Sequence, residues 1–305
     1  MNSCLRMQWL TLVLLSILAA PLASAEAADA TPPTIDSIRV GFSGHYKAGF
    51  WTPIEVTLAA GSQDVHGDLE VIVPDGDGVP TRVVEHGVSL KAGERKGTRL
   101  FIKPGRPHAP ITVGLRAGIN GGVLAERIFS GDEVPAALGS ASKSGAAKLI
   151  LELGSPLKFG ASIRFSEEGD PEETAVVYLD DPNQWPDRWF GYDGVDLIVL
   201  TTGKSEIYGR LSATTLDAID RWLRLGGRML ISVGAHGSEL LAAGKPLARF
   251  APGKFIKTVP RRPFAALENF AGTSAPLAAE EGGDRATVDI AMFESVHGRI
   301  EASDD

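Results

Sequence analysis

The stretch VDLIVLTTGKSEIYGRLSATTLDAIDRWLRLGGRMLISV, residues 195–233, has the grammar of a strand, a helix and a second strand. Val195 to Leu200 is a short apolar block of the kind that is buried on both faces of a parallel sheet. A helix is predicted from Ser212, a suitable N-cap, to Leu225. Leu216, Ile219 and Leu223, with Ala218, Trp222 and Leu225, form its apolar face. Asp217 to Arg221 and Asp220 to Arg224 are acid-first i,i+4 pairs expected on the wet side. Gly226-Gly227 then ends the helix, and Arg228 to Val233 follows at once as a strand. Strand, helix, Gly-Gly, strand predicts a right-handed βαβ unit.

Blocks of the same kind lie on either side, at Leu149 to Leu153, Ala175 to Leu179 and Phe255 to Val259. Residues 148–305 are therefore expected to form an α/β unit with a flavodoxin-like parallel sheet. Upstream the pattern changes. Seven short runs, Ile35 to Phe42, Pro53 to Ala59, Leu69 to Val73, Thr81 to Leu90, Thr98 to Lys103, Ile111 to Ala117 and Val123 to Phe129, are separated by turn residues. In two of them, Ile54, Val56, Leu58 and Leu69, Val71, Val73 alternate with residues that are polar apart from Ile72, the period of half-buried strands. Seven such strands predict an immunoglobulin-like β-sandwich over residues 34–132. The small, patternless run Gly139 to Ala147 (GSASKSGAA) places a linker at 133–147.

The chain opens with Arg6, an apolar run from Trp9 to Ala20, then Ala23-Ser24-Ala25. That order is expected to be a signal peptide, residues 1–25, cleaved near Ala25, giving a periplasmic or extracellular protein. The apolar run is short of the roughly 20 residues a membrane span needs, so no retained transmembrane segment is expected. The one cysteine, Cys4, leaves with the signal, and so do disulfide and thiolate chemistry. Removing one Arg and no acid takes the formal charge from −8 to −9. An acidic chain without basic runs argues against nucleic-acid partners.

Gly49 to Leu58 (GFWTPIEVTL) resembles the entry of strand B in exported sandwich domains, with Trp51 either a core or rim plug or a sugar-stacking platform. Gly191 to Leu200 (GYDGVDLIVL), the helix end Arg221 to Gly227 (RWLRLGG) and Arg228 to Gly234 (RMLISVG) resemble the class I glutamine amidotransferase-like superfamily. The form most resembled is the exported one found behind sandwich domains in large bacterial envelope proteins, and the likeness covers about residues 145–260. It implies a nucleophilic cysteine on the turn after a strand. Here that turn reads Gly234-Ala235-His236-Gly237-Ser238-Glu239, without a thiol, so glutamine hydrolysis does not carry over. Related envelope proteins continue into a transmembrane helix, whereas this sequence ends at Glu301-Ala302-Ser303-Asp304-Asp305. A short secreted version and a piece of a longer chain both fit.

Ligands of open parallel sheets sit beyond the carboxyl ends of the strands. That edge is expected to collect Gly154, Ser155, Asp180, Asp181, Thr201 to Lys204 and Gly234 to Glu239. Asp180, Asp181, His236 and Glu239 are the catalytic candidates, with helix and turn capping as their alternative role. No histidine spacing suits zinc, and no cofactor is expected. Gly203-Lys204-Ser205 imitates a phosphate loop, but Ile198 stands where its first glycine belongs. Asp75-Gly76-Asp77-Gly78 is expected to be a hairpin turn rather than a calcium loop. Trp185, Arg188 and Trp189 form either a contact patch for an envelope protein partner or glycan, or a lid over the core. Two functions follow: a non-catalytic exported envelope scaffold or binding protein, or an exported hydrolase, carbohydrate-active, using the acids and His236.

Overall fold

The computed structural model describes residues 31–118, 121–139, 147–156, 173–234, 236–261 and 288–297. The expected signal peptide and residues 140–146 of the expected linker lie outside them.

All seven runs expected upstream are strands: β1 (Thr34–Val40), β2 (Thr52–Ala59), β3 (Val65–Pro74), β4 (Pro80–Leu90), β5 (Arg95–Ile102), β6 (Ile111–Arg116) and β7 (Val123–Phe129). They form two antiparallel sheets, β1-β2-β5 and β4-β3-β6-β7. In β2 the alternation read from sequence is the alternation of burial, whereas in β3 Glu70 is buried as well, paired with Arg82 and Arg116. Ile54, Val56 and Leu58 face Leu69, Val71 and Val73 in one closed core, all at 0–1% exposure, while Glu55 and Thr57 are only half-buried. β3 begins four residues earlier than expected because its register shifts between Gly67 and Leu69, which breaks the period of two there. Asp75 caps the β3–β4 turn by accepting the Asp77 and Val79 N–H groups, at 3.0 and 2.8 Å.

The third sheet, in the second unit, is wholly parallel: β8 (Ala147–Leu153), β9 (Glu173–Tyr178), β10 (Leu197–Thr201) and β11 (Met229–Ser232), in the order β11-β10-β8-β9. Helix α1 (Ala213–Arg224) connects β10 to β11, and Ser212 Oγ accepts the Thr215 N–H at 3.0 Å as its N-cap. One wet-side pair forms as expected, Arg224 to Asp220 at 2.9 Å. The other does not: Asp217 binds Arg249, and Arg221 instead lies over the ring of Trp189.

The block Phe255 to Val259 departs from expectation. It belongs to β12 (Lys254–Arg261), which pairs antiparallel with β13 (Val288–Glu294) in a separate two-stranded ribbon. Lys257 interrupts the apolar run, and Ile256 and Met292 stay 41% exposed, so this strand is not buried on both faces. β11 is an edge strand with Leu230 44% exposed, also less buried than its sequence suggested. No helix among the described residues is long and apolar enough to cross a membrane.

The two units meet through side chains that neither period reveals. After β1, Gly41 at φ +69° turns the chain, since a Cβ there would lie 2.2 Å from the His45 carbonyl oxygen. This turn drives Phe42, 3% exposed, into the second core against Tyr192, with ring centroids 6.4 Å apart. Lys47 pairs with Asp196 at 2.5 Å, and the same carboxylate accepts the Leu149 N–H at 2.7 Å. Arg99 on β5 donates to the carbonyls of Asn183 and Trp185. Phe190 packs between Trp51 and Phe101, at 5.5 and 5.2 Å. The first part of the expected linker is docked too: Val134 and Ala137 are buried, and Leu138 donates its N–H to Tyr46 O at 2.8 Å.

Candidate functional site

In chain order, the parallel sheet runs second, first, third, fourth. Its strand order therefore reverses between β8 and β10, where a ligand crevice belongs. The residues at those two carboxyl ends bond to one another instead. Ser155 donates its N–H to Thr201 Oγ1, and that hydroxyl returns a bond to Ser155 O at 2.9 Å. Gly154 holds φ +101°, and a Cβ there would come within 2.2 Å of Thr201 O and 2.9 Å of the Tyr208 hydroxyl. Tyr208, 1% exposed, sits in a 3₁₀ turn (Ser205–Arg210), with its hydroxyl 2.9 Å from Leu153 O and 2.8 Å from Thr201 O. Burial pushes the Tyr208 phenol well above its ordinary range. One step outward, Thr202 Oγ1 accepts the Gly234 N–H at 2.7 Å. Among the described residues, the carboxyl ends of β8 and β10 are thus tied together through the Thr201 and Tyr208 hydroxyls.

The catalytic candidates divide between the two rims of this edge. Asp181 caps a 3₁₀ turn (Pro182–Gln184) by accepting the Asn183 N–H at 3.0 Å, and it faces Arg210 at 3.9 Å. Asp180 precedes it and is exposed. His236 and Glu239 stand beyond β11, where α2 (Gly237–Leu241) begins, joined by a 2.9 Å bond from Nδ1 to Oε1. Glu239 also accepts the Ser205 hydroxyl at 2.5 Å. These bonds hold the His236 imidazole above its usual range and the Glu239 carboxyl below its own. β9 and β11 are the two outer strands, three strand spacings or roughly 14 Å apart. Among the described residues, no hydrogen bond or ion pair joins Asp180 or Asp181 to His236 or Glu239. The acid lies between serine and histidine, so the imidazole is not placed to take the Ser205 proton.

Lys204, from the phosphate-loop look-alike, lies 6.0 Å from the Tyr178 ring. Trp185 is 1% exposed and belongs to the second core, so its side chain is not presented to a partner. Trp189 is half-buried, with Arg221 5.4 Å from its ring centroid, and Arg188 is exposed. A shallow, solvent-open depression lies at the seam, lined by Arg39, Phe42, Glu55, Arg99, Leu179 and Gln184 among others. Sequence reasoning missed Phe42, Lys47, Arg99, Asp196 and Tyr208. Most of their partners are far away in sequence, 149 residues in the case of Lys47 and Asp196, although Tyr208 also bonds Thr201 seven residues before it.

These features define an immunoglobulin-like antiparallel sandwich joined to a parallel α/β sheet. The sandwich, residues 33–130, matches a family model described as a domain of unknown function, DUF8726. No curated protein matches the chain. Among solved structures, the CARDB domain of the PF1109 protein from Pyrococcus furiosus is 17% identical, with a TM-score of 0.22, covering 33% of this chain and 93% of that one. Bacteroides uniformis beta-glucuronidase 2 is 11% identical, TM-score 0.28, covering 66% of this chain and 24% of that one. A cycloisomaltooligosaccharide glucanotransferase from Paenibacillus sp. is 11% identical, TM-score 0.25, covering 65% and 28%. The chain thus spans about a quarter of the length of the two enzymes, and their chemistry is not transferred to it.

Proposed function

We propose that the protein is a non-catalytic exported envelope scaffold or binding protein, in which a sandwich carries an α/β unit of the flavodoxin-like, amidotransferase-like kind that has lost its catalytic centre. The observation that carries this reading is the bonded switch point, where the Thr201 and Tyr208 hydroxyls are engaged by carbonyls at the ends of β8 and β10 rather than free to meet a substrate. The turn after β11 offers no thiol, and Ser205, Glu239 and His236 are bonded in an order unsuited to nucleophile activation. Export rests on the signal-like first 25 residues, and the unit boundaries on composition. The test is to assay the mature protein and a His236→Ala form for ammonia release from glutamine and for ester and glycoside hydrolysis. No turnover in either is expected, and turnover that collapses in the variant refutes the reading.

A hydrolase built on His236 and Glu239 is the second reading, favoured by their direct bond and by the raised basicity of the imidazole. It needs a second acid within about 5 to 9.5 Å for glycosidic chemistry. Asp180 and Asp181 follow the opposite outer strand, which supports the binding-protein reading over this one.

A further inference from the structure

Helix α1 carries two acid-first pairs in its sequence, yet only Asp220 and Arg224 meet. Asp217 is drawn away by Arg249, and Arg221 lies over the Trp189 ring, 5.4 Å from its centroid. A guanidinium held by an indole rather than by a carboxylate keeps its N–H donors available to a ligand. Arg188, the residue before Trp189, is exposed as well. Neither Arg188 nor Arg221 makes an ion pair among the described residues, although the chain is acidic overall and most other placed arginines have found a carboxylate or a carbonyl. Of the neighbouring acids, Asp193 accepts the Trp51 N–H at 3.2 Å, while Asp187 is exposed. Two arginines without an ion pair thus accompany one half-buried indole, Arg221 over its ring and Arg188 beside it in the chain, and the aromatic chain continues through Phe190 to Trp51 at the seam.

We propose that this surface, Arg188, Trp189 and Arg221, docks an acidic peptide segment of a partner protein. The inference rests on the binding-protein reading and names the chemistry of its partner. Charge complementarity selects the occupant, because exposed guanidinium forks without an ion pair match carboxylates in bidentate fashion. A glycan fits less well: a sugar needs an open ring face, whereas Arg221 covers one face of Trp189 and Phe190 meets the ring edge-to-face at 5.8 Å.

The experiment is fluorescence anisotropy on the mature protein with a labelled peptide alternating Glu and Leu, and with its Lys-for-Glu counterpart. Binding of the Glu peptide alone is expected, weakening as salt rises. Arg221→Glu and Arg188→Glu should each weaken it at least tenfold, whereas Arg224→Glu on the same helix should leave it within about twofold. Melting curves of the three variants verify that they fold. Equal loss in the Arg221 and Arg224 variants means unspecific attraction and overturns the proposal, as does no binding of the Glu peptide. Tighter binding of an oligogalacturonate probe overturns it in favour of a glycan. Self-association in sedimentation that Arg221→Glu abolishes overturns it in favour of a second copy. The turnover assays stand apart from all of these: peptide binding can fail while the protein remains without turnover, and turnover would defeat the underlying reading instead.

Discussion

Replacing Phe42 by Ala should destabilise the unit to which Phe42 does not belong in sequence. Its ring is 3% exposed and stacks on Tyr192 at 6.4 Å with 23° between planes, inside the core formed by the parallel sheet and α1. Truncating a buried Phe to Ala costs about 3 to 5 kcal/mol, because transfer free energy is lost and a cavity remains. At about 2 to 4 °C per kcal/mol for a protein of this size, the melting temperature should fall by about 6 to 20 °C. Thermal unfolding followed by tryptophan fluorescence and by far-UV circular dichroism is the assay. Trp185, Trp189 and Trp222 lie in the second unit and Trp51 at the seam, so fluorescence reports mainly on the second unit and its contact with the sandwich. Both probes should shift together. Phe50→Ala, at an exposed ring, serves as the control and should cost less than about 1 kcal/mol. A Phe42 variant that shifts only the dichroism signal, or falls by less than about 2 °C, refutes the idea that this residue joins the two cores.

Limited proteolysis should cut first within residues 139–147, and the two fragments should co-elute on gel filtration because Phe42, Lys47–Asp196 and Arg99 hold them; separate elution counts against it. Thr201→Val should leave the Ser155 N–H without its acceptor, costing about 1 to 3 kcal/mol, readable as a lower urea midpoint with an unchanged m-value. For His236, an NMR titration should give a pKa above 6.5 that returns towards it in Glu239→Gln. The raised histidine contributes stability below its unfolded pKa and loses it as pH rises through the folded one, while the lowered Glu239 loses its share as pH falls through its folded value. The pair therefore stabilises most in the pH range between those two folded values.

The sandwich was legible because its strands are half-buried and write their alternation into the sequence, as Ile54-Glu55-Val56-Thr57-Leu58 does. The βαβ unit was legible because caps and breakers are local, with Ser212 at one end of α1 and Gly226 at φ +105° at the other. Phe42 was not, since the apolar run from Ile35 carried it into a strand that in fact ends at Val40. Whether the Gln184 to Phe190 loop covered a core or faced outward depended on contacts with β2 and β5, which no local pattern encodes. The candidate acids follow the carboxyl ends of β9 and β11, and their separation comes from strand order, which emerges only when the sheet is assembled.

The stitch across β8 and β10 bears on how readily a pocket could return. Tyr208 reaches two carbonyls and Thr201 ties down Ser155, so removing either hydroxyl leaves the other still bridging the strands. Neither group titrates near neutrality, so no ordinary change of pH loosens the closure. Freeing the two strand ends would take the loss of both hydroxyls, and each loss is expected to destabilise the sheet by itself.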